Sequence, residues 1–203
     1  DLDGTLVDAS DGILRRLGIT LQRFGRPEIT RAELAHWIGP PMFESFQVLA
    51  GMAPDQAQEA LKRYRELAAR DGYAASVDIY PGVPEVIRAV AAAGIPQATA
   101  STKPENQVTA ILEHYELIGS FTAISGARSG AAGQSDGKAD VIGWALERLR
   151  AAGADTSRPV LIGDRHHDID GAAEFGIPVI FSAWGFGAPE EGDAADYRAA
   201  DAA

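Results

Sequence analysis

From about residue 82 onward, short apolar runs alternate with helix-length amphipathic stretches, and few folds admit that pattern. Residues 95–100, 121–124, 159–162 and 178–181 read as short strands, those at 95–100 and 159–162 as buried ones. Between them a helix carrying Val86, Ile87 and Val90 stops at Gly94, and one opened by Pro104 carries Val108, Ile111 and Leu112. A third, over 138–149, turns Val141, Ile142, Ala145 and Leu149 inward, and a fourth runs from about residue 168 to 175. Such alternation predicts an α/β fold with a parallel, doubly wound sheet. In open sheets of that kind the site lies beyond the carboxyl ends of the strands.

The stretch from about residue 9 to 78 has no strand signal and reads as helical throughout. Leu14, Leu17, Leu21 and Phe24 share one face of a first helix, with Ser10 as its cap and Gly25 and Pro27 at its end. Thr30 and Glu33 form a capping box that opens a short helix through His36 and Trp37. Gly39-Pro40-Pro41 breaks it, and a further helix carries Phe43, Phe46 and Leu49 to Gly51. Pro54 then opens a long charged helix through Leu61, Tyr64 and Leu67. Aromatics on these helices read as packing, and His36 as a partly buried histidine without a role. The expected division is a core of residues 1–8 and 79–203 with a helical cap, 9–78, inserted above the strand ends. At the far end, Trp184-Gly185-Phe186-Gly187 reads as a glycine-spaced aromatic loop. Residues 188–203, acidic and alanine-rich, read as a loosely packed C-terminus.

At 203 residues the chain suffices for one α/β domain with a smaller insertion. Its formal charge of −11 argues against nucleic acid and anionic membranes as partners. A phosphate anion would therefore need local donors and a metal. Cysteine is absent, so there are no disulfides or thiolate metal sites, which fits a reducing cytoplasm. No apolar run reaches the length of a membrane span and no secretory leader is visible. The sequence begins at Asp1, with no methionine and no apolar run before it, so a strand feeding Asp1 is expected upstream in a longer natural chain.

Each strand end delivers chemistry. The first delivers Asp1 and Asp3, which a strand's period of two sends to the same side, followed by Gly4 for a sharp turn. Two acids that close repel unless a cation or a shared proton compensates. A hard divalent ion such as Mg²⁺ suits them, and an ordinary Asp-Gly turn is the competing reading. With a metal in place, one carboxylate can attack phosphorus while the other handles protons. The second strand end delivers Ser101, Thr102 and Lys103. A hydroxyl from Ser101 and main-chain N–H groups near Thr102 offer a place for a phosphate oxygen, or simply a helix cap. Lys138 opens the helix over 138–149, where the macrodipole disfavours a cation, and its ammonium suits a phosphoryl group. The fourth delivers Asp164, a direct metal ligand by position, and Asp168, which supports it or serves only as a helix N-terminal acid. Arg165, His166 and His167 read as solvated loop residues.

Taken in order, Asp1-Leu2-Asp3-Gly4-Thr5-Leu6-Val7-Asp8, Ser101-Thr102-Lys103-Pro104, Lys138 and Gly163-Asp164-Arg165-His166-His167-Asp168 resemble the four motifs of the haloacid dehalogenase superfamily. The helical insert resembles that family's small α-helical cap, and the whole chain is most similar to its phosphoglycolate phosphatase-like branch. Gly39-Pro40-Pro41, the Gly163-Asp164-Arg165 run and Trp184-Gly185-Phe186-Gly187 also resemble members described as 5′-nucleotidases. The resemblance implies a Mg²⁺-dependent hydrolysis of a small phosphate monoester through an aspartyl-phosphate. It implies Asp1 as nucleophile and Asp3 as the acid that protonates the leaving oxygen and then activates water. It places Mg²⁺ between the Asp1 carboxylate, the Asp3 main-chain carbonyl and Asp164, with Asp168 in support, and gives Ser101, Thr102 and Lys138 to the phosphoryl group. The presence of Asp3 argues against dehalogenation, and Thr5 favours a phosphatase over a sugar phosphomutase. A catalytically silent binding protein on the same scaffold would have no need of the full acidic set. The chain is expected as a monomer or homodimer. One departure from the pattern is the long Gly/Ser-rich loop before Lys138, with no proline after that lysine.

Overall fold

The computed structural model describes residues 1–202; Ala203, the last residue of the segment read as core, lies outside them. The chain opens in a tight loop in which the N–H groups of Thr5, Leu6 and Val7 all converge on the Leu2 carbonyl. Gly4 at φ +88° makes that curl possible. Strand β1 (Val7–Asp8) follows, then helix α1 (Ser10–Arg23). The α1 cap differs from expectation: the Asp8 carboxylate accepts the Ser10 N–H at 2.8 Å, while the Ser10 hydroxyl accepts from Arg31. The acid two residues earlier takes this free amide and also suits the helix dipole.

The Thr30–Glu33 box forms, with the Thr30 N–H on Glu33 Oε2 at 2.8 Å, but opens only a 3₁₀ turn, Leu34–His36. Gly39-Pro40-Pro41 follows too soon for more. Helices α2 (Met42–Val48) and α3 (Pro54–Asp71) pack on one another, and α3 packs on α1. The chain returns in β2 (Asp78–Ile79), antiparallel to β1, with Val7 opposite Ile79 and Asp8 opposite Asp78. The helical segment thus leaves and re-enters the remainder of the chain at adjacent points.

Helix α4 (Val83–Ala92) leads to β3 (Ser101–Pro104), α5 (Glu105–His114) and β4 (Gly126–Ala127), with β3 and β4 parallel. Helix α6 (Lys138–Ala151), β5 (Leu161–Gly163), α7 (His166–Ala173) and β6 (Val179–Ser182) complete the alternation. A last strand, β7 (Tyr197–Ala199), extends a parallel sheet in the order β5-β6-β7. The α/β class with parallel strands and helical crossovers is the one the alternation predicts.

Three details depart from the sequence reading. Residues 95–100 and 121–124 meet only through one parallel bridge, Ala98 to Ala123, and the hydrogen-bonded strands lie a few residues later. Val160 and Ile162 are 53% and 42% exposed rather than buried, since among the described residues no strand pairs with the edge of β5 away from β6. The Asp1 amino group does reach that edge, donating to the Ile162 carbonyl at 2.7 Å. Finally, the C-terminal segment is not loose: β7 pairs with β6, and the Asp196 carboxylate accepts the Val179 N–H at 2.9 Å.

One apolar cluster runs from Ile13, Leu17, Trp37, Phe46 and Leu61 of the helical segment to Leu2, Val7, Val83, Val108 and Leu112 of the α/β part. A second joins Val141, Ile142 and Leu146 of α6 to Ala172 and Val179. Burial at roughly 25 cal/mol per Å² of apolar surface makes these clusters the main stabilising term and seats both halves against each other. Among the described residues no helix is long and apolar enough to cross a membrane.

Candidate active site

Lys138 is the first residue of α6, and its ammonium is buried between the start of β3 and α7. Nζ lies 2.7 Å from Asp1 Oδ1, 2.8 Å from Asp168 Oδ1 and 3.0 Å from the Ala100 carbonyl. Its stem lies against Gly171 on α7, where any Cβ would overlap it. Glycine at that position lets α7 approach α6 closely enough to carry Asp168 to the ammonium.

Asp164 follows β5 and is fully buried. Its Oδ2 accepts the Phe186 N–H at 2.7 Å, and Thr5 Oγ1 donates to Oδ1 at 3.4 Å. A Cβ on Gly4 or Gly185 would overlap its side chain, and one on Gly187 its carbonyl. The aromatic loop after β6 is therefore a wall of the site. Burial, then the charge of Asp168, pushes the Asp164 carboxyl up to about 7. Asp168 goes the other way. Burial acts to raise it, but the Lys138 ammonium and the Arg165 N–H on Oδ2 at 3.0 Å hold it below the usual carboxylate range.

Asp1, Asp164 and Asp168 each place one carboxylate oxygen within 4.8 Å of the others. Three acids from the two ends of the chain, with one ammonium among them, form an oxygen-only set that fits a small hard cation. The Asp3 side chain stands outside this group: Oδ2 pairs with Lys103 Nζ at 2.9 Å, and Oδ1 is buried without a hydrogen-bond partner. Ser101 is buried, its Oγ accepting the Lys103 N–H at 3.2 Å. Thr102 directs its hydroxyl to the Gly39 carbonyl at 2.8 Å, so its main chain alone is left for an anion.

Several participants carried no sequence signal of their role. Arg165, read as a solvated loop residue, is buried; Nη1 donates to the carbonyls of Ala35, at 2.5 Å, and Ile38, both in the helical segment. Its Nε donates to Glu191 Oε2 at 3.0 Å, and the same oxygen accepts the His166 N–H at 3.0 Å. Burial acts to raise the Glu191 carboxyl, but these donors and the His166 ring bring it to about 2. A long-range ion pair has no local pattern. The glycine spacing around Phe186 was the one visible sign that backbone approaches something there.

Between the two halves lies a cavity of about 80 Å³, with Asp3, Thr102 and Lys103 on the strand side and Trp37, Tyr64 and Arg65 on the helical side.

The chain is similar to several known proteins. The chain is 35% identical to the tyrosine-protein kinase PtkA of Mycobacterium tuberculosis over 92% of its own length, and spans 62% of that protein. It is 34% identical to a 5′-nucleotidase of Pseudomonas aeruginosa, covering 94% of this chain and 84% of the relative. A phosphoglycolate phosphatase of Caulobacter vibrioides is 31% identical, at 92% and 78% coverage. A solved structure described as a predicted phosphatase from Clostridium acetobutylicum superposes with a TM-score of 0.87 at 30% identity, over 98% of this chain and 90% of that one. The family model for haloacid dehalogenase-like hydrolases matches residues 1–182, a span holding Asp1, Lys138, Asp164 and Asp168 together, and the chain belongs to that family of enzymes.

Proposed function

We propose that the chain is a Mg²⁺-dependent phosphatase that hydrolyses a small phosphate monoester through an aspartyl-phosphate. The observation that carries this reading is the convergence of Asp1, Asp164 and Asp168 around the buried Lys138 ammonium. The buried Asp164, pushed up to about 7, is an acid that a neighbouring cation would keep ionised. Asp1, Asp164 and the Asp3 main-chain carbonyl would hold Mg²⁺, with Asp168 in support. The ion, when bound, neutralises charge on the phosphoryl oxygens and on the attacking carboxylate.

The chain's own groups account for the remaining steps. An Asp1 carboxylate oxygen attacks phosphorus while the bond to the leaving alkoxide breaks, and Asp3 gives that oxygen a proton. Asp3, now a carboxylate, takes a proton from water as the water oxygen attacks phosphorus, which releases inorganic phosphate and frees Asp1. The unpartnered Asp3 Oδ1 suits this exchange, since it has no competing donor. Lys138 orients Asp1 and, with Ser101 and the Thr102 main chain, receives the phosphoryl oxygens.

Residues 9–78 serve in this reading as the cap that selects the ester. A nucleoside 5′-monophosphate is the second substrate reading, favoured by the 34% identity to a 5′-nucleotidase. The test is phosphate release with Mg²⁺ and with EDTA over short phosphate esters and nucleoside monophosphates, for the parent and Asp1→Asn. Metal-dependent release that the folded variant loses is the expected result. Full activity in Asp1→Asn would remove the nucleophile assignment. Transfer of the phosphoryl group to a tyrosine or to an isomeric sugar phosphate, with no free phosphate, would replace hydrolysis as the reaction.

A further inference from the structure

Arg65 lies on α3 and lines the cavity opposite Asp3 and Lys103. Its Nη1 donates to the Gly130 carbonyl at 2.8 Å, and this is the single hydrogen bond its guanidinium makes among the described residues. No carboxylate lies within ion-pair distance of it among those residues. The acid on the same cavity, Asp3, is already paired with Lys103 at 2.9 Å. The other polar neighbours, Thr102, Tyr64, Gln107 and Gln134, bring no negative charge at neutral pH. The cavity therefore presents a positive charge that nothing among the described residues balances. Burial also lowers the Arg65 guanidinium from its ordinary value, the sign of a cation partly stripped of water, though it remains charged at neutral pH.

We propose that Arg65 is a specificity-determining residue that receives an anionic group carried by the alcohol half of the substrate ester. This rests on the phosphatase reading above. A guanidinium has five N–H donors in a planar fork that matches a carboxylate, and the Gly130 contact uses one of them. That contact also ties α3 to the loop before Lys138, so the fork is held in place before any ligand arrives. Partial desolvation makes the pairing count, because an anion that replaces lost hydration is selected over a neutral group of equal shape.

The experiment compares phosphoglycolate with 2-hydroxyethyl phosphate, two short esters of similar shape that differ in charge, using the full chain with Mg²⁺. The parent is expected to show a clearly higher kcat/KM for the acid. Arg65→Gln is expected to reduce the acid-to-neutral ratio by about thirtyfold or more, the low end of what losing one partner of a desolvated charge pair does. Arg65→Lys should retain part of the preference, since charge survives and the fork does not. A parent with no preference for the acid, or an Arg65→Gln variant that slows both esters equally, would overturn the assignment and leave Arg65 a tether to Gly130. The parent ratio requires no variant, so misfolding of Arg65→Gln would not protect the proposal. If the parent releases phosphate from neither ester nor from p-nitrophenyl phosphate, the phosphatase reading itself fails. Hydrolysis without preference removes only the role of Arg65.

Discussion

Asp164 shows how much of this site is made by residues that have no side chain. Its carboxylate is closed in by Gly4 and Gly185, and its carbonyl by Gly187. Gly4 needs glycine twice over, for φ +88° and for the approach to Asp164. At Gly185 the φ is not left-handed, so its demand is purely steric: a Cβ would overlap both Asp164 and the Gly4 carbonyl. Gly185→Ala is thus expected to displace Asp164 while the fold survives. The Mg²⁺ concentration for half-maximal phosphate release should rise about tenfold or more, in the range seen when a metal ligand's supporting groups are disturbed. An unchanged requirement, measured with an intact circular dichroism spectrum, would show that Asp164 does not depend on this wall. The acids and Lys138 were legible in the sequence because charged residues at strand ends announce themselves. The glycines were visible as spacing, but a close approach names no partner until the fold supplies one.

Among the elements, the C-terminal segment departs furthest from what its composition suggests. An acidic, alanine-rich stretch has no apolar period, and nothing in it marks Glu191 as the acid that binds Arg165 and His166. The strand–helix alternation was legible because side-chain period reports local geometry directly. Partnership across 26 residues, as between Arg165 and Glu191, leaves no such trace. Glu191 titrates in the fold at about 2, below the ordinary carboxylate value. A carboxyl depressed on folding contributes stability that is fully present above its unfolded pKa and is lost as pH falls through the folded one. Glu191→Gln should therefore lower the unfolding free energy by about 1–2 kcal/mol at neutral pH, discounted for partial exposure. The gap from the parent should shrink as pH drops from the ordinary carboxylate range toward 2. Urea midpoints at several pH values check this, and a gap independent of pH would mean that Glu191 acts by shape alone.

For the molecule as a whole, the question is what couples the helical segment to the chemistry. Apolar packing joins the halves through one continuous cluster, but that contact has no direction. Direction comes from residues 35–39, whose carbonyls are gripped from two sides of the strand edge. Arg165 donates to Ala35 and Ile38, and Thr102 to Gly39 at 2.8 Å. The turn at Gly39-Pro40-Pro41 reads in the sequence as a helix break, and its structural position makes it also the seam between the helical segment and the candidate site. Gly39 sits at φ +114°, and a Cβ there would lie 3.1 Å from the His167 ring and 3.4 Å from the Arg165 guanidinium. Gly39→Ala must therefore either strain the turn or shift it away from the site loop. Neither change touches Asp1, Asp164 or Asp168 directly. If this seam sets how the cap lies over the substrate, relative kcat/KM values across an ester panel should change by about tenfold or more, as small misplacements of a bound substrate do. The Mg²⁺ half-saturation should move far less. Identical relative rates in parent and variant would mean that substrate choice is made elsewhere in the helical segment, and a shift in metal affinity as large as the shift in rates would place the effect on the Asp164 loop.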